Sequence, residues 1–377
     1  MVADPPRSCD RRPPGVYKSA GMVRVLHLHD GEPDFQTRRA LEALTRSIGT
    51  GFEASVVRAT GLAGGFRGGR ACGASPDVVH AWGGRALAAA VMRGRGRIVF
   101  SPTHFPSPRV ARWVRAAMGH HDVQVVCSSA TQRRGLVERG VPLGRCHLIR
   151  PGVDFARVRR RRDPALRRRL GFSDADHVLL APGESTRGAA HEDAAWAAAI
   201  AHYLDPRYRM LLWGRGERAG AVMRRAAAIG GDLLSAAEPL LRESVEFESL
   251  LPAADAVLVS ARGPVPTLPI AVCMAAGLPI VSTVTYTVAE LLEDRHTAVM
   301  VPRHEPRLMA RRLLELRADT GLQWSISDVA RTEAYEYFSL TRFLDQWRGV
   351  YRQVAEGKPV EVVEPQPGAG RRFHGRA

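Results

Sequence analysis

DAVLVSARGPVPTLPIAVCMAAGLPIVST, residues 255–283, reads as a strand, a proline-rich loop, a short helix and a second, buried strand. The strands are short aliphatic runs without polar alternation, as expected where a sheet is covered on both faces. A strand, helix and strand in succession make a βαβ unit, and such units build parallel sheets. Residues 264–283 contain no carboxylate and no histidine, although a loop following such a strand is where an α/β protein often keeps its chemistry.

The same alternation extends in both directions. Upstream run HVLLAPG (177–183), EDAAWAAAIAHYL, YRMLLWG and ERAGAVMRRAAAI; downstream run VAELLED, TAVMVP and PRLMARRLLELRAD. An earlier series starts at VRVLHLH (23–29) and continues through TRRALEALTRSI, EASVVRA, PDVVHAW, RALAAAVMR, RIVFSP, PRVARWVRAAM, VQVVCSS and CHLIRPGVD. The expectation is an α/β chain of two Rossmann-like, doubly wound domains, 22–150 and 171–322, facing a central cleft. An Arg-rich linker spans 151–170, and QWSISDVARTEAYEYFSLTRFLDQWRGVYRQV within 323–356 predicts one or two amphipathic helices packing back toward the N-terminal domain. The termini, 1–21 and 357–377, have the composition of disordered segments.

A chain of 377 residues is long enough for two cores. No run approaches the ~20 apolar residues of a membrane span, and MVADPPRSCDRRPPG lacks the apolar region of a secretory signal. A cytoplasmic, at most membrane-peripheral, protein is expected. The five cysteines are scattered and form no C-x-x-C pair, so they read as reduced thiols. A formal charge of +16 raises nucleic acid as a partner, but 52 of the 54 basic residues are arginine. That skew points to compositional bias. The densest run, RVRRRRDPALRRRL (157–170), reads as a solvated linker face, with peripheral contact to an anionic membrane through 157–169 as the alternative. Neither half carries G-x-G-x-x-G after its first strand, and G-x-x-x-x-G-K-[ST] is absent, so the glycine cradles of NAD and P-loop proteins are missing.

A series of landmarks in the C-terminal half carries a resemblance. CSSATQRRGLVERGVPLGRCHLIRPGVD, GESTRG, LLWGRGE, LLPAADAVLVSA, AVCMAAGLPIVST and YTVAELLEDRHTAVMVP follow one another in order across about 200 residues. Together they resemble the family 4 glycosyltransferases, called glycosyl transferases group 1, which have the GT-B fold. In the N-terminal half PDVVHAW and THFPSP are similar to the family's strand ends, and Gly31 stands for its early glycine pair.

The resemblance implies a retaining hexosyl transfer from a nucleotide sugar to an acceptor, without a metal or other cofactor. Departure of a nucleoside diphosphate needs fixed cations and dipoles. Arg187 stands where the family has a lysine, Glu184 near its arginine, and Gly183, Gly214, Gly216 and Gly277 in its turns. Glu290 matches a further family glutamate. The family's Glu-x7-Glu pair falls on Pro264 and Val272, and neither side chain can accept or donate a hydrogen bond. No Glu or Asp lies between Asp255 and Glu290 to restore it. Catalytic candidates on the other side of the cleft are His104 and Glu32, with His29, His80 and Gly31 on the acceptor side; His27 reads as a core strand residue. No H-x-x-x-H spacing suggests a metal. Two alternatives to transfer stay open: a non-catalytic relative that binds a sugar, nucleotide or protein partner, and a basic binder of nucleic acid or membrane surfaces.

Overall fold

The structure, a computed structural model, describes residues 21–59, 75–94, 96–159, 161–230, 232–237 and 245–364. Of the segments expected to be disordered, 1–21 and 357–377, residues 1–20 and 365–377 lie outside them, while Val360 and Val362 pack against the N-terminal core.

Two six-stranded sheets, parallel throughout, form the frame. The N-terminal sheet contains β1 (Val23–Asp30), β2 (Phe52–Ala59), β3 (Val78–Trp82), β4 (Arg97–Ser101), β5 (Val123–Cys127) and β6 (Cys146–Leu148), in the order β2-β1-β3-β4-β5-β6. The C-terminal sheet contains β7 (His177–Ala181), β8 (Tyr208–Leu212), β9 (Leu234–Ala236), β10 (Ala256–Val259), β11 (Ile280–Thr283) and β12 (Val299–Val301), in the order β12-β11-β10-β7-β8-β9.

The intervening helices are α1 (Phe35–Arg46), α2 (Gly84–Met92), α3 (Pro108–Met118) and α4 (Ala130–Val137) in the N-terminal half. The C-terminal half adds α5 (Pro164–Arg169), α6 (His191–Leu204), α7 (Ala219–Ile229), α8 (Leu268–Ala276), α9 (Pro306–Ala318), α10 (Thr320–Phe338) and α11 (Leu340–Glu356). Several helices start on side-chain caps written into the sequence: Asp34, Ser107 and Ser129 each accept a first-turn N–H of the helix that follows. Helix α8 differs, since every one of its nine residues is buried and Thr267 before it makes no side-chain cap. A helix apolar all round belongs inside, and α8 lies between the C-terminal sheet and α10.

Ser339 separates the two last helices. Helix α10 stays with the C-terminal half, where Ala330, Ala334 and Phe338 join its core. Helix α11 lies on the N-terminal sheet instead, placing Phe343, Trp347, Val350 and Tyr351 among Val25, Val78 and Val99. The 151–170 segment differs from a solvated linker: Arg167 is buried, donating to Asp255 Oδ2 at 2.9 Å and to the carbonyls of Ala253 and Asp176. A guanidinium has five N–H donors, enough to satisfy this enclosed ring of acceptors.

Candidate functional site

The carboxyl ends of the two sheets meet through their loops, and the contacts share one chemistry. Three helix N-termini at this junction each receive an acceptor from the opposite half. The first-turn N–H groups of a helix have no intrahelical partner and carry the positive end of its dipole, so they attract an anion or a carbonyl. At α1, Glu184 Oε1 from the loop after β7 accepts the Phe35 N–H at 2.8 Å. At α8, Gln36 Oε1 from α1 accepts the N–H groups of Thr267 at 2.9 Å and Leu268 at 3.0 Å, while Gln36 Nε2 donates to Ser128 Oγ at 2.9 Å. At α4, Glu290 accepts the N–H groups of Ala130 at 2.7 Å and Thr131 at 2.6 Å, and the Thr131 hydroxyl. Arg150 Nη1 lies 3.4 Å from the same carboxylate.

Helix α1 is also held by apolar and ionic contacts. Phe35 inserts into the core of the C-terminal half, edge-on to Trp213 and Phe247 at ring separations of 5.6 and 5.4 Å. One turn on, Arg39 makes a two-pronged pair with Glu248, both N···O distances being 2.7 Å, and reaches Glu246 at 2.8 Å. Fork-to-fork pairing of this kind fixes orientation as well as charge.

Beside Glu184 is a small cavity of about 30 Å³, walled by the loop after β7, the end of β10 and the start of α8, including His191, Ser260, Val265 and Pro269. Burial, reinforced by nearby Asp34, pushes the Glu184 carboxyl up to about 7. A group titrating there can donate or accept a proton at neutral pH. The glycines of this region are set by close approaches. A Cβ on Gly216, whose φ is 104°, would lie 2.5 Å from the Ser185 carbonyl oxygen, and one on Gly183, at φ 78°, 2.9 Å from the Pro269 ring.

The remaining sequence candidates separate by position. Glu184, Gly183 and the start of α8 come together, with Gly214 and Gly216 in the turn packed on Ser185. Gly277 ends α8 in the left-handed region, at φ 68°. Arg187 is exposed, its backbone N–H 3.4 Å from Glu217, and it does not line the Glu184 cavity. Val272 is buried and lines a second cavity, of about 70 Å³, which Arg39, Glu42 and Glu248 also line. On the other side, Gly31 (φ 47°) turns the chain out of β1, and Glu32 is exposed, 3.7 Å from Arg215. His104 is exposed beyond β4, and His29 is half-buried with Nδ1 enclosed. His80 requires a correction. It is wholly buried, with Nδ1 2.7 Å from the Tyr351 hydroxyl and Nε2 2.9 Å from Ser101 Oγ, and α11 covers it with Trp347. It is a core residue, like His27 beside it. Sequence reading missed Phe35, Gln36, Arg39, Glu246 and Glu248, because their partners in the opposite half lie at least 149 residues away. Among the described residues, no cluster of three His, Cys, Asp or Glu side chains is arranged to hold a metal ion.

Known proteins extend this picture. Residues 185–319 match the family model of glycosyl transferases group 1. A D-inositol 3-phosphate glycosyltransferase of Salinispora arenicola is 27% identical over 260 residues, covering 64% of this chain and 56% of that protein, so the match spans little more than half the relative's length. The structure of Anabaena HepE in complex with UDP and glucose superposes with a TM-score of 0.70 at 15% identity, over 88% of this chain and 99% of that one. Sucrose-phosphate synthase from Thermosynechococcus elongatus gives 0.68 at 14% identity, over 89% and 100%. The chain therefore has the GT-B fold, and its residues 185–319 match the glycosyl transferases group 1 model.

Proposed function

We propose that the chain transfers a hexosyl group from a nucleotide sugar, with the donor lodged between the loop after β7 and the N-terminus of α8. The observation that carries this reading is the Glu184 cavity: it lies at the carboxyl ends of β7 and β10, beside the α8 N–H groups that Gln36 caps from the opposite half, and includes a carboxyl raised to about 7. Ligands of open α/β sheets bind at such strand ends, and helix N-termini receive phosphates. The UDP held by the HepE structure supports a nucleoside diphosphate as the group recognised. In this reading Gln36 withdraws from Thr267 and Leu268, the diphosphate takes its place, and Arg215 and Arg187 add fixed positive charge without a metal. His104 and His29, at the ends of β4 and β1, are the proposed acceptor-side groups, and Glu290 orders the cleft through α4.

Pro264 and Val272 leave the family's two glutamate positions without a carboxylate. Glu184 lines a cavity with Val265, next to Pro264, and Glu42 and Glu248 line a cavity with Val272. One observation favours the non-catalytic alternative: all three helix N-termini of the cleft already carry protein acceptors. Peripheral membrane contact through 157–169 has less support, since Arg157 pairs with Glu42 and Asp154 and Arg167 is buried.

The test is incubation with a panel of nucleotide sugars, reading release of nucleoside diphosphate. Release with at least one donor, lost in Glu184→Ala, is expected. Saturable nucleotide binding with no release across the panel would favour the non-catalytic reading.

A further inference from the structure

Between Asp77 and Asp122 the chain contains seven arginines and no acidic residue, although it has 38 acidic residues in all. Strands β3 and β4 bury their part of this stretch, so its surface is made by α2 and α3. Helix α3 turns Ala111, Val114 and Ala117 inward. Arg109, Arg112, Trp113 and Ala116 recur at the three- and four-residue spacing of the opposite face and are all exposed. Trp113 is 58% exposed, and among the described residues neither Arg109 nor Arg112 meets a carboxylate. Phe105, before the helix, is partly exposed with the Arg139 guanidinium over its ring, and Met92, 57% exposed, ends the neighbouring α2.

Protein surfaces ordinarily intersperse both signs of charge and keep tryptophan covered. A helix with a buried apolar face, an exposed tryptophan and an arginine field free of acids has instead the chemistry of a bilayer interface: guanidinium groups meet lipid phosphates while the indole enters the headgroup layer. The 157–170 run is denser in arginine but spends Arg157, Arg162 and Arg167 on carboxylates of its own chain and offers no exposed tryptophan. We propose that the outer face of α3, centred on Arg109, Arg112 and Trp113, docks the protein on an anionic membrane surface.

Co-sedimentation of the full chain with vesicles tests this directly, and because no nucleotide sugar is present it succeeds or fails independently of the transfer reading. Vesicles of phosphatidylcholine with phosphatidylglycerol should bind the protein, vesicles of phosphatidylcholine alone should not, and added salt should weaken binding. The double variant Arg109→Glu/Arg112→Glu should lose about 10-fold or more of the partitioning. Trp113→Ala should bind more weakly and abolish the blue shift of tryptophan emission on vesicle addition. All three positions are exposed, so an unchanged circular dichroism spectrum is expected. Equal binding to both vesicle types, unaltered binding by the double variant, or loss only in Arg159→Glu/Arg168→Glu would overturn the proposal. So would salt-sensitive binding to duplex DNA with none to vesicles.

Discussion

Glu184 Oε1 accepts the backbone N–H of Phe35 at 2.8 Å, linking residues 149 apart and joining the loop after β7 to the first turn of α1. The contact is buried enough to raise the carboxyl from its ordinary 4.5 to about 7. Below about pH 4.5 the group is neutral in folded and unfolded chains alike. Between 4.5 and 7 only the unfolded chain releases the proton, so folding weakens as pH rises, by at most about 3 kcal/mol. Glu184→Gln keeps an acceptor for Phe35 and removes the titration. Its stability by denaturant unfolding should match wild type at pH 4 and exceed it at pH 8; an equal difference at both values would contradict the assignment.

Helix α8 takes its N-terminal acceptor from the other half of the chain. Gln36→Ala should cost about 1 to 2 kcal/mol, the range for a lost helix cap. Hydrogen exchange should quicken at the amides of Thr267 and Leu268 while the amides of α6 stay protected. Uniform quickening across the C-terminal half would mean that Gln36 acts on global stability and not on this helix.

The frame of the molecule was legible because it is local. Aliphatic runs such as HVLLA and AVLV form buried strands whatever lies around them, and the helices between start at Asp34, Ser107 and Ser129, which cap their own first turns. The site was legible only in part. Glu184 and the glycines of its loop could be placed by order along the chain, but the raised carboxyl depends on burial by α1, which no neighbouring residue announces. Gln36, Arg39 and Glu248 have polar side chains on or near helices, ordinary for solvent, and acquire a role only when the halves meet. His80 was misplaced for the converse reason: it stands near a strand end, but α11, some 270 residues later, folds over it. Val272 remains a substitution in a recognisable frame, and its own cavity contains Glu248 and Glu42.

The Arg39–Glu248 pair should behave as a unit. Glu248 is buried, so Arg39→Met leaves an uncompensated carboxylate and should destabilise by about 3 to 5 kcal/mol. Adding Glu248→Met should recover most of that loss, since both desolvated charges are then gone. Additive losses in a double-mutant cycle would show that the two side chains are not coupled.

Acid should act on the buried histidines. Burial lowers His27 to about 3 and His177 and His191 to about 4, so all three are neutral in the fold at pH values where the unfolded chain carries them charged. Stability should therefore fall as pH drops from about 6.5 toward 4, opposite in slope to the Glu184 effect. His191→Asn, which retains a partner for the Ser185 hydroxyl 2.9 Å away, should flatten the fall in Tm over this range. An unchanged slope would remove His191 from the account.

The most direct measurement is a calorimetric titration of wild type and Gln36→Ala with UDP, GDP and ADP. The account predicts saturable binding of at least one diphosphate, tighter in Gln36→Ala by about 5- to 10-fold, because the N–H groups of Thr267 and Leu268 no longer exchange a protein acceptor for the phosphate. Absence of binding to either protein with all three diphosphates, or weaker binding in Gln36→Ala, would contradict it.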